Sequence, residues 1–144
     1  MKTPEEMLSA ERACCRLVHE YCYAVDDCDA DRFIDVFTAD AVWDRAGHAS
    51  LTGHEQLRAF FTGRRTDIST LHVCSNVLIN VIDADIATGR SYVTVFRSVR
   101  SAVPEVFPPA IPDLVAQYTD DYRKTGFGWR IARRRVSVRF GGKS

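Results

Sequence analysis

The chain has 144 residues and no net charge, because 19 Lys and Arg residues balance 19 Asp and Glu residues. Hydrophobic residues make up 46% and charged residues 26%, which is typical of a folded domain and excludes a disordered segment. The neutral balance argues against nucleic acid or an anionic membrane as a partner. The length suits a single domain, which we place at residues 1–144.

The N-terminal residues and the cysteines indicate a cytosolic protein. The chain begins MKTPEEMLSAERACC, which is polar and charged where a signal peptide has an apolar core. No apolar run reaches the roughly 18 residues needed to cross a bilayer. The 5 cysteines include no C-x-x-C pair, so we expect reduced, packed thiols and no metal site.

The first part of the chain shows helical signals. Thr3 and Glu6 have the spacing of a capping box, with Pro4 at the first helical position. Asp29 is placed to cap a short second helix, and Gly53 precedes a third. The first helix has an apolar stripe formed by Met7, Ala10, Cys14, Leu17, Val18, Tyr21 and Val25.

Farther along the chain the apolar period becomes two, which indicates strands joined as hairpins. The proline-rich segment 101–113 is predicted to be a loop between the two hairpins. Helices at the front and long strands at the back indicate an α+β fold with a curved antiparallel sheet wrapped onto the helices. The predicted strands of the hairpins are residues 71–83, 87–100, 114–125 and 129–140.

The candidate catalytic residues are single polar residues at positions predicted to face inward, and they do not form a common catalytic motif. The sequence contains no G-x-G-x-x-G, G-x-S-x-G or H-E-x-x-H. Strand alternation places His72 and Asn76 on one face, where they would line a cavity; a hydrogen-bonded core histidine is the alternative. Tyr21 lies on the buried helical stripe. Asp26 follows that stripe at a helix C-terminus, where a negative charge is unfavourable.

The other face of the same strand is apolar and predicts a homodimer or larger homo-oligomer formed through the sheet. This predicted outer face consists of Leu71, Val73, Val77, Ile79 and Val81.

In five segments, the sequence resembles the SnoaL-like proteins of the superfamily named for nuclear transport factor 2, to which scytalone dehydratase and ketosteroid isomerase also belong. The segments are EYCYAVDDCDADRFIDVFTADAVWD, LTGHEQLRAFF, STLHVCSNVLINV, ATGRSYVTVFR and DDYRKTGFGWRIARRRVSV. The resemblance spans about residues 8–140 in order. It implies a cone-shaped α+β barrel, with three N-terminal helices packed in the concave face of a strongly curved, mostly antiparallel sheet. This fold hosts dehydratases, isomerases, cyclases, epoxide hydrolases, dioxygenase small subunits and non-catalytic binders.

The resemblance also implies roles for individual residues. Asp26 and His72 match the aspartate and the catalytic histidine of scytalone dehydratase-like members. Tyr21 matches a tyrosine that donates a hydrogen bond to a substrate oxygen in ketosteroid isomerase-like and bile-acid dehydratase-like relatives.

Other positions depart from those enzymes. Arg97 or a neighbour stands where scytalone dehydratase has a second histidine. Arg45, preceded by Asp44, stands where ketosteroid isomerase has its base, and Arg139 lies only near the arginine of bile-acid dehydratase.

We therefore expect a cofactor-independent lyase or isomerase, dehydratase- or cyclase-like, that uses acid–base catalysis. Its substrate would be a hydrophobic, cyclic, carbonyl-bearing small molecule such as a polyketide, a steroid or an aromatic compound. The alternative is a non-catalytic small-molecule-binding or scaffold subunit of the same fold. The catalytic candidates are His72, Asp26 and Tyr21, and the residues expected to contact the substrate are Asn76, Tyr92, Trp43 and Arg97.

Overall fold

The computed structural model describes residues 2–142. Its elements are α1 (Pro4–Asp26), α2 (Ala30–Asp35), β1 (Phe37–Asp44), β2 (Leu51–Thr52), α3 (Gly53–Thr62), β3 (Ile68–Val81), β4 (Ile86–Val99), β5 (Leu114–Thr125) and β6 (Gly128–Gly141).

The helix starts follow the predicted caps. The Thr3 hydroxyl accepts a hydrogen bond from the Glu6 amide at 3.1 Å, and the Glu6 carboxylate accepts one from the Thr3 amide at 2.8 Å. The Asp29 carboxylate caps α2 by accepting a hydrogen bond from the Arg32 amide at 3.1 Å. Both predicted N-caps are confirmed, Thr3 for α1 and Asp29 for α2.

The six strands form one mixed sheet in the order β2-β1-β6-β5-β4-β3. The strands β1 and β6 pair in parallel, while the other neighbours are antiparallel. The sheet does not close, since β2 and β3 are its two edges. The helices pack on this sheet, with α1 in contact with β3 and β6. The α+β class, with N-terminal helices against a mostly antiparallel sheet, is therefore confirmed.

A β-bulge in β3 reverses the faces of this strand. The register with β4 shifts between Ser75 and Leu78, and Asn76 has φ of 55°, in the left-handed region. Before the bulge His72 faces the helices, whereas after it Ile79 is the inward residue, 9% exposed. The prediction that His72 and Asn76 share a face is therefore wrong.

The same bulge changes the predicted outer apolar face. Leu71 and Val73 point outward and are about half exposed. Val77 and Val81, like Ile79, pack against the core. Only the first part of the predicted outer face is therefore on the surface.

An aromatic cluster lies between the helices and the sheet. Phe33 of α2 stacks on Phe61 of α3 with ring centroids 4.5 Å apart. Tyr21 of α1 meets Phe33, Phe37 and Trp43 at centroid distances of 5.7 to 6.3 Å. Within residues 2–142, the structure has no helix that is both long and apolar enough to span a bilayer.

Candidate functional site

A cavity of about 360 Å³ lies between the helices and the inner face of the sheet. Its size is within the range of small-molecule binding sites. Most of its wall is apolar or aromatic, and the polar groups are few. The lining side chains are Tyr21, Val25, Phe33, Trp43, Phe60, Phe61, Arg64, Arg65, Ile68, Thr70, His72, Val93, Val95, Arg97, Leu114, Ala116, Tyr118 and Val136.

The structure brings Asp26 into contact with His72, whose side chain lines this cavity. The His72 ring nitrogen Nδ1 lies 2.6 Å from Asp26 Oδ1, and the His72 backbone amide donates to Asp26 Oδ2 at 2.8 Å. An ionised carboxylate only accepts hydrogen bonds, so Nδ1 carries a proton. In the neutral ring, Nε2 is therefore unprotonated and is free to accept a proton from a ligand.

Asp26 is held as a carboxylate by three donors. In addition to the two His72 groups, the Thr70 hydroxyl donates to Asp26 Oδ1 at 3.0 Å. Burial raises the pKa of Asp26, but the hydrogen bonds from His72 and Thr70 outweigh burial, and the pKa lies below its ordinary value. The negative charge at the C-terminal end of α1 is thus stabilised by β3.

Tyr21 is the third predicted site residue at the cavity. Its ring is 3% exposed, and its centroid lies 6.4 Å from that of His72, edge to face. Burial raises the pKa of Tyr21 to about 12, against a smaller opposing effect of the Arg134 charge. The phenol consequently stays protonated at neutral pH and can donate a hydrogen bond.

A buried ion pair packs against the ring of this tyrosine, and the sequence pattern did not predict this ion pair. Arg134 of β6 is fully buried and donates to both Asp120 oxygens, at 2.9 and 2.8 Å. Burial lowers the pKa of Arg134, but the Asp120 charge outweighs it, so the pKa lies well above its ordinary value. The guanidinium lies 4.2 Å from the Tyr21 ring and 4.0 Å from the Tyr118 ring.

Nothing in the sequence distinguished Arg134 from its neighbours. It is one of three consecutive arginines, and Arg133 and Arg135 instead pair with carboxylates closer to the surface. Strand alternation puts the middle arginine on the opposite face from the other two, but it does not say which face is buried.

Trp43 and Arg97, two of the residues predicted to contact a substrate, line the cavity. The Trp43 indole nitrogen is buried, and among the described residues it has no hydrogen-bond acceptor. Its N–H is therefore an enclosed donor whose hydrogen-bonding capacity the described residues leave unused. Arg97 is more exposed, and its side chain lies 3.9 Å from Asp113.

Asn76 and Tyr92, the other two, lie outside this cavity, so their predicted placement is wrong. They border a separate depression on the outer side of the sheet. The β3 bulge turns Asn76 outward. Tyr92 pairs with Ser75 next to that bulge and is 42% exposed.

The residues at positions where the sequence differs from the named enzymes form contacts outside the cavity. Asp44 accepts hydrogen bonds from Ser50 and Arg133 at 2.5 and 2.7 Å. Arg45 covers the Phe60 ring at 4.5 Å, and Arg139 donates to Gln117. Asp44, Arg45 and Arg139 are not part of the cavity wall.

Two thiols lie beside the dyad. Cys22 and Cys74 belong to the same two elements as Asp26 and His72, and their sulfurs are 3.3 Å apart, in contact but not bonded. No group of three or more His, Cys, Asp or Glu side chains in the described range 2–142 is arranged to hold a metal ion.

Comparison with known proteins identifies the family. The SnoaL-like domain model matches residues 6–135, most of the chain. The chain belongs to the SnoaL-like family. No curated protein matches this SnoaL-like protein.

Solved structures share the fold of this SnoaL-like protein. A Novosphingobium aromaticivorans protein provisionally described as an aromatic ring hydroxylase is 26% identical, with a TM-score of 0.80 over 96% of this chain and 93% of that chain. A provisional scytalone dehydratase from the same species is 24% identical, with a TM-score of 0.81 over 96% and 89%. A hexachlorocyclohexane dehydrochlorinase is 16% identical, with a TM-score of 0.78 over 96% and 90%. The latter two likenesses are evidence for the fold alone.

Proposed function

We propose that this protein is a cofactor-independent lyase or isomerase that moves a proton on a cyclic, carbonyl-bearing small molecule. The observation that carries the proposal is the 2.6 Å contact between Asp26 Oδ1 and Nδ1 of His72, a side chain that lines a mainly apolar cavity. This contact fixes the ring and leaves Nε2 as the basic atom. General acid–base catalysis by a positioned histidine contributes typically about 10²–10⁴ in rate.

In the proposed dehydration, His72 Nε2 takes a proton from the carbon next to the substrate carbonyl. The electron pair of the broken C–H bond moves to the carbonyl oxygen, and the Tyr21 hydroxyl stabilises the enolate by donating a hydrogen bond. When the carbonyl re-forms, the hydroxyl on the next carbon leaves, takes the proton from His72 and departs as water. In an isomerisation, His72 instead returns the proton to a different carbon.

Two of the relatives that share the fold are named for eliminations. One is described provisionally as a scytalone dehydratase, a name that means loss of water, and the other is a hexachlorocyclohexane dehydrochlorinase, a name that means loss of hydrogen chloride. A polyketide, steroid or aromatic precursor with a hydroxyl next to the acidic carbon would suit the same chemistry and the apolar wall.

A non-catalytic role is the second candidate. The relative described provisionally as an aromatic ring hydroxylase is the one of these three with the highest identity. Its name fits a subunit that supports an oxygenase as well as it fits an enzyme. In that role the Asp26–His72 contact would be a satisfied polar contact inside a shared fold.

Turnover of a panel of cyclic β-hydroxy ketones by the wild type and by His72→Ala separates these roles. We expect the wild type to form the unsaturated ketone and His72→Ala to be slower by at least about a hundredfold. Equal rates for the two proteins would contradict the acid–base role. Binding of the ketones without turnover by either protein would favour the non-catalytic role.

A further inference from the structure

The permanently charged side chains of the cavity wall are all arginines. Apart from His72, the charged side chains in the wall are Arg64, Arg65 and Arg97, and the described wall contains no Asp, Glu or Lys. Arg64 and Arg65 follow α3, while Arg97 lies near the end of β4. The rest of the wall is aromatic and aliphatic, so the cavity joins an apolar body to a cationic edge.

The sheet register places Arg97 close to the dyad. Val95 is paired with His72, and Arg97 is paired with Thr70, whose hydroxyl binds Asp26. Residues two apart on a strand share a face at a spacing of roughly 7 Å. Arg97 therefore lies on the neighbouring strand and on the same face of the sheet as His72. It is displaced from His72 by two residues along the strand direction, about the width of a ring.

Two of the three arginines keep hydrogen-bonding capacity for a ligand. Arg65 is engaged by Asp67 through both Nε and NH2, at 2.9 and 2.5 Å. Arg64 donates to the Val25 carbonyl oxygen at 3.3 Å and covers the Phe61 ring, contacts that leave its charge unmatched by a carboxylate.

Arg97 has a carboxylate nearby but not at hydrogen-bonding distance. Its Nε is 3.9 Å from Asp113 Oδ2, and both side chains are partly exposed. Such a pair contributes little in water, so a ligand anion competes with it readily. Arg64 and Arg97 are thus the two guanidinium groups that a bound anion would meet.

We propose that the substrate is amphipathic: an apolar cyclic body that carries a carboxylate, with the carboxylate bound by Arg97 and Arg64. This deepens the proposed function and relies on it for the reacting end of the substrate. Guanidinium groups bind carboxylates through paired, charge-assisted hydrogen bonds, and the planar fork of arginine suits this better than a lysine does. The ring body would contact the aromatic wall, with its reactive carbon facing His72.

Binding of matched probes to His72→Ala tests the carboxylate without requiring turnover. We use 2-naphthoate and its neutral isostere 2-naphthamide, measured by calorimetry at low salt. We expect the naphthoate to bind at least about tenfold more tightly, as charge-assisted hydrogen bonds would give. The preference should shrink as salt is added, because the arginines are near the surface.

Variants assign the preference to particular arginines. Arg97→Gln and Arg64→Gln, each in the His72→Ala background, should reduce the preference severalfold. Arg65→Gln is the matched control and should leave it within about twofold, since Asp67 already neutralises Arg65. Melting temperatures check that each variant is folded.

The outcomes separate this inference from the proposed function. No preference for naphthoate, including no binding of either probe, would overturn the inference, as would equal losses from all three Arg→Gln changes. If 2-naphthyl phosphate binds more tightly than 2-naphthoate, the site prefers a phosphate, and the assignment of a carboxylate is overturned. A preference together with no turnover of any ketone would support the anion site and count against the proposed catalysis.

Discussion

Asp26 is the residue through which the helical and sheet parts of the site meet. It receives hydrogen bonds from the His72 ring, the His72 amide and the Thr70 hydroxyl. These bonds to the charged form outweigh burial and lower the pKa of Asp26. Asp26 consequently supplies a full negative charge at neutral pH, which fixes the tautomer of His72 and stabilises the imidazolium that proton transfer creates.

Replacement of this carboxylate should reduce catalysis selectively. Asp26→Asn keeps the size of the side chain but removes the charge, so we expect turnover of a ketone substrate to fall by at least about a hundredfold. Asp27 is the matched control, since it is the next residue in the chain, exposed, and paired with Arg32 at 3.4 Å. Asp27→Asn should change the rate by less than about twofold, and comparable losses from the two changes would contradict the role of Asp26.

The lowered pKa of Asp26 also predicts a pH dependence of stability. A carboxyl group whose native pKa lies below its unfolded value, 3.8 here, stabilises the fold above that value. This stabilisation is lost as the pH falls through the lower native pKa. The difference in unfolding free energy between wild type and Asp26→Asn should therefore shrink as the pH falls from about 4 through that lower pKa. Urea unfolding at several pH values measures it, and a difference that grew below about pH 4 would disprove the prediction.

The pairing of Asp26 with His72 was predictable only from the resemblance to scytalone dehydratase-like proteins. Asp26 and His72 are 46 positions apart, on a helix and a strand, and no local period relates them. Arg134 and Asp120, 14 positions apart on neighbouring strands, were not predicted for the same reason. Which of several arginines is buried depends on the packing of α1 over β6, and this is a property of the tertiary structure.

At the scale of elements, the bulge in β3 decides which residues reach the cavity. The helices, their caps and the hairpins follow from local patterns, and the structure confirms them. A one-residue bulge leaves no mark in an apolar alternation that continues through it, so the pattern kept Asn76 on the face of His72. The structure instead puts Asn76 in the left-handed region and on the outside.

The bulge makes a prediction about Asn76. An asparagine tolerates a positive φ, whereas a β-branched residue does not, so Asn76→Val should destabilise the fold by about 1–2 kcal/mol. Asn76→Gly should be nearly neutral. Asn80→Val is the control, because Asn80 is an exposed residue of the same strand with ordinary pairing to Thr88. Urea unfolding compares the three variants, and equal effects of the two Val substitutions would refute the role of the bulge.

At the scale of the whole molecule, the outer face of the sheet carries exposed apolar side chains. Leu71 and Val73 of β3, Tyr92 of β4 and Phe140 of β6 are 42–73% exposed. Such a surface is typical of a contact between subunits. The homodimer therefore stays a prediction, with different residues at its centre from those that the sequence pattern suggested.

Sedimentation at micromolar concentration tests the dimer. We expect a dimer for the wild type and a shift toward monomer for Val73→Glu, which places a charge in the middle of the face. Val103→Glu is the control, because Val103 is 59% exposed on the loop between β4 and β5 and outside the sheet. A monomeric wild type would contradict the prediction.

The central claim is that His72 moves a proton of a bound ketone, and hydrogen exchange in D₂O tests it most directly. Exchange at the carbon next to the carbonyl needs no leaving group, so it reports proton transfer alone. With 2-tetralone as the ketone and NMR as the readout, the wild type and Asp27→Asn should accelerate exchange over buffer, and His72→Ala should not. Exchange at the same rate in wild type and His72→Ala would contradict the account.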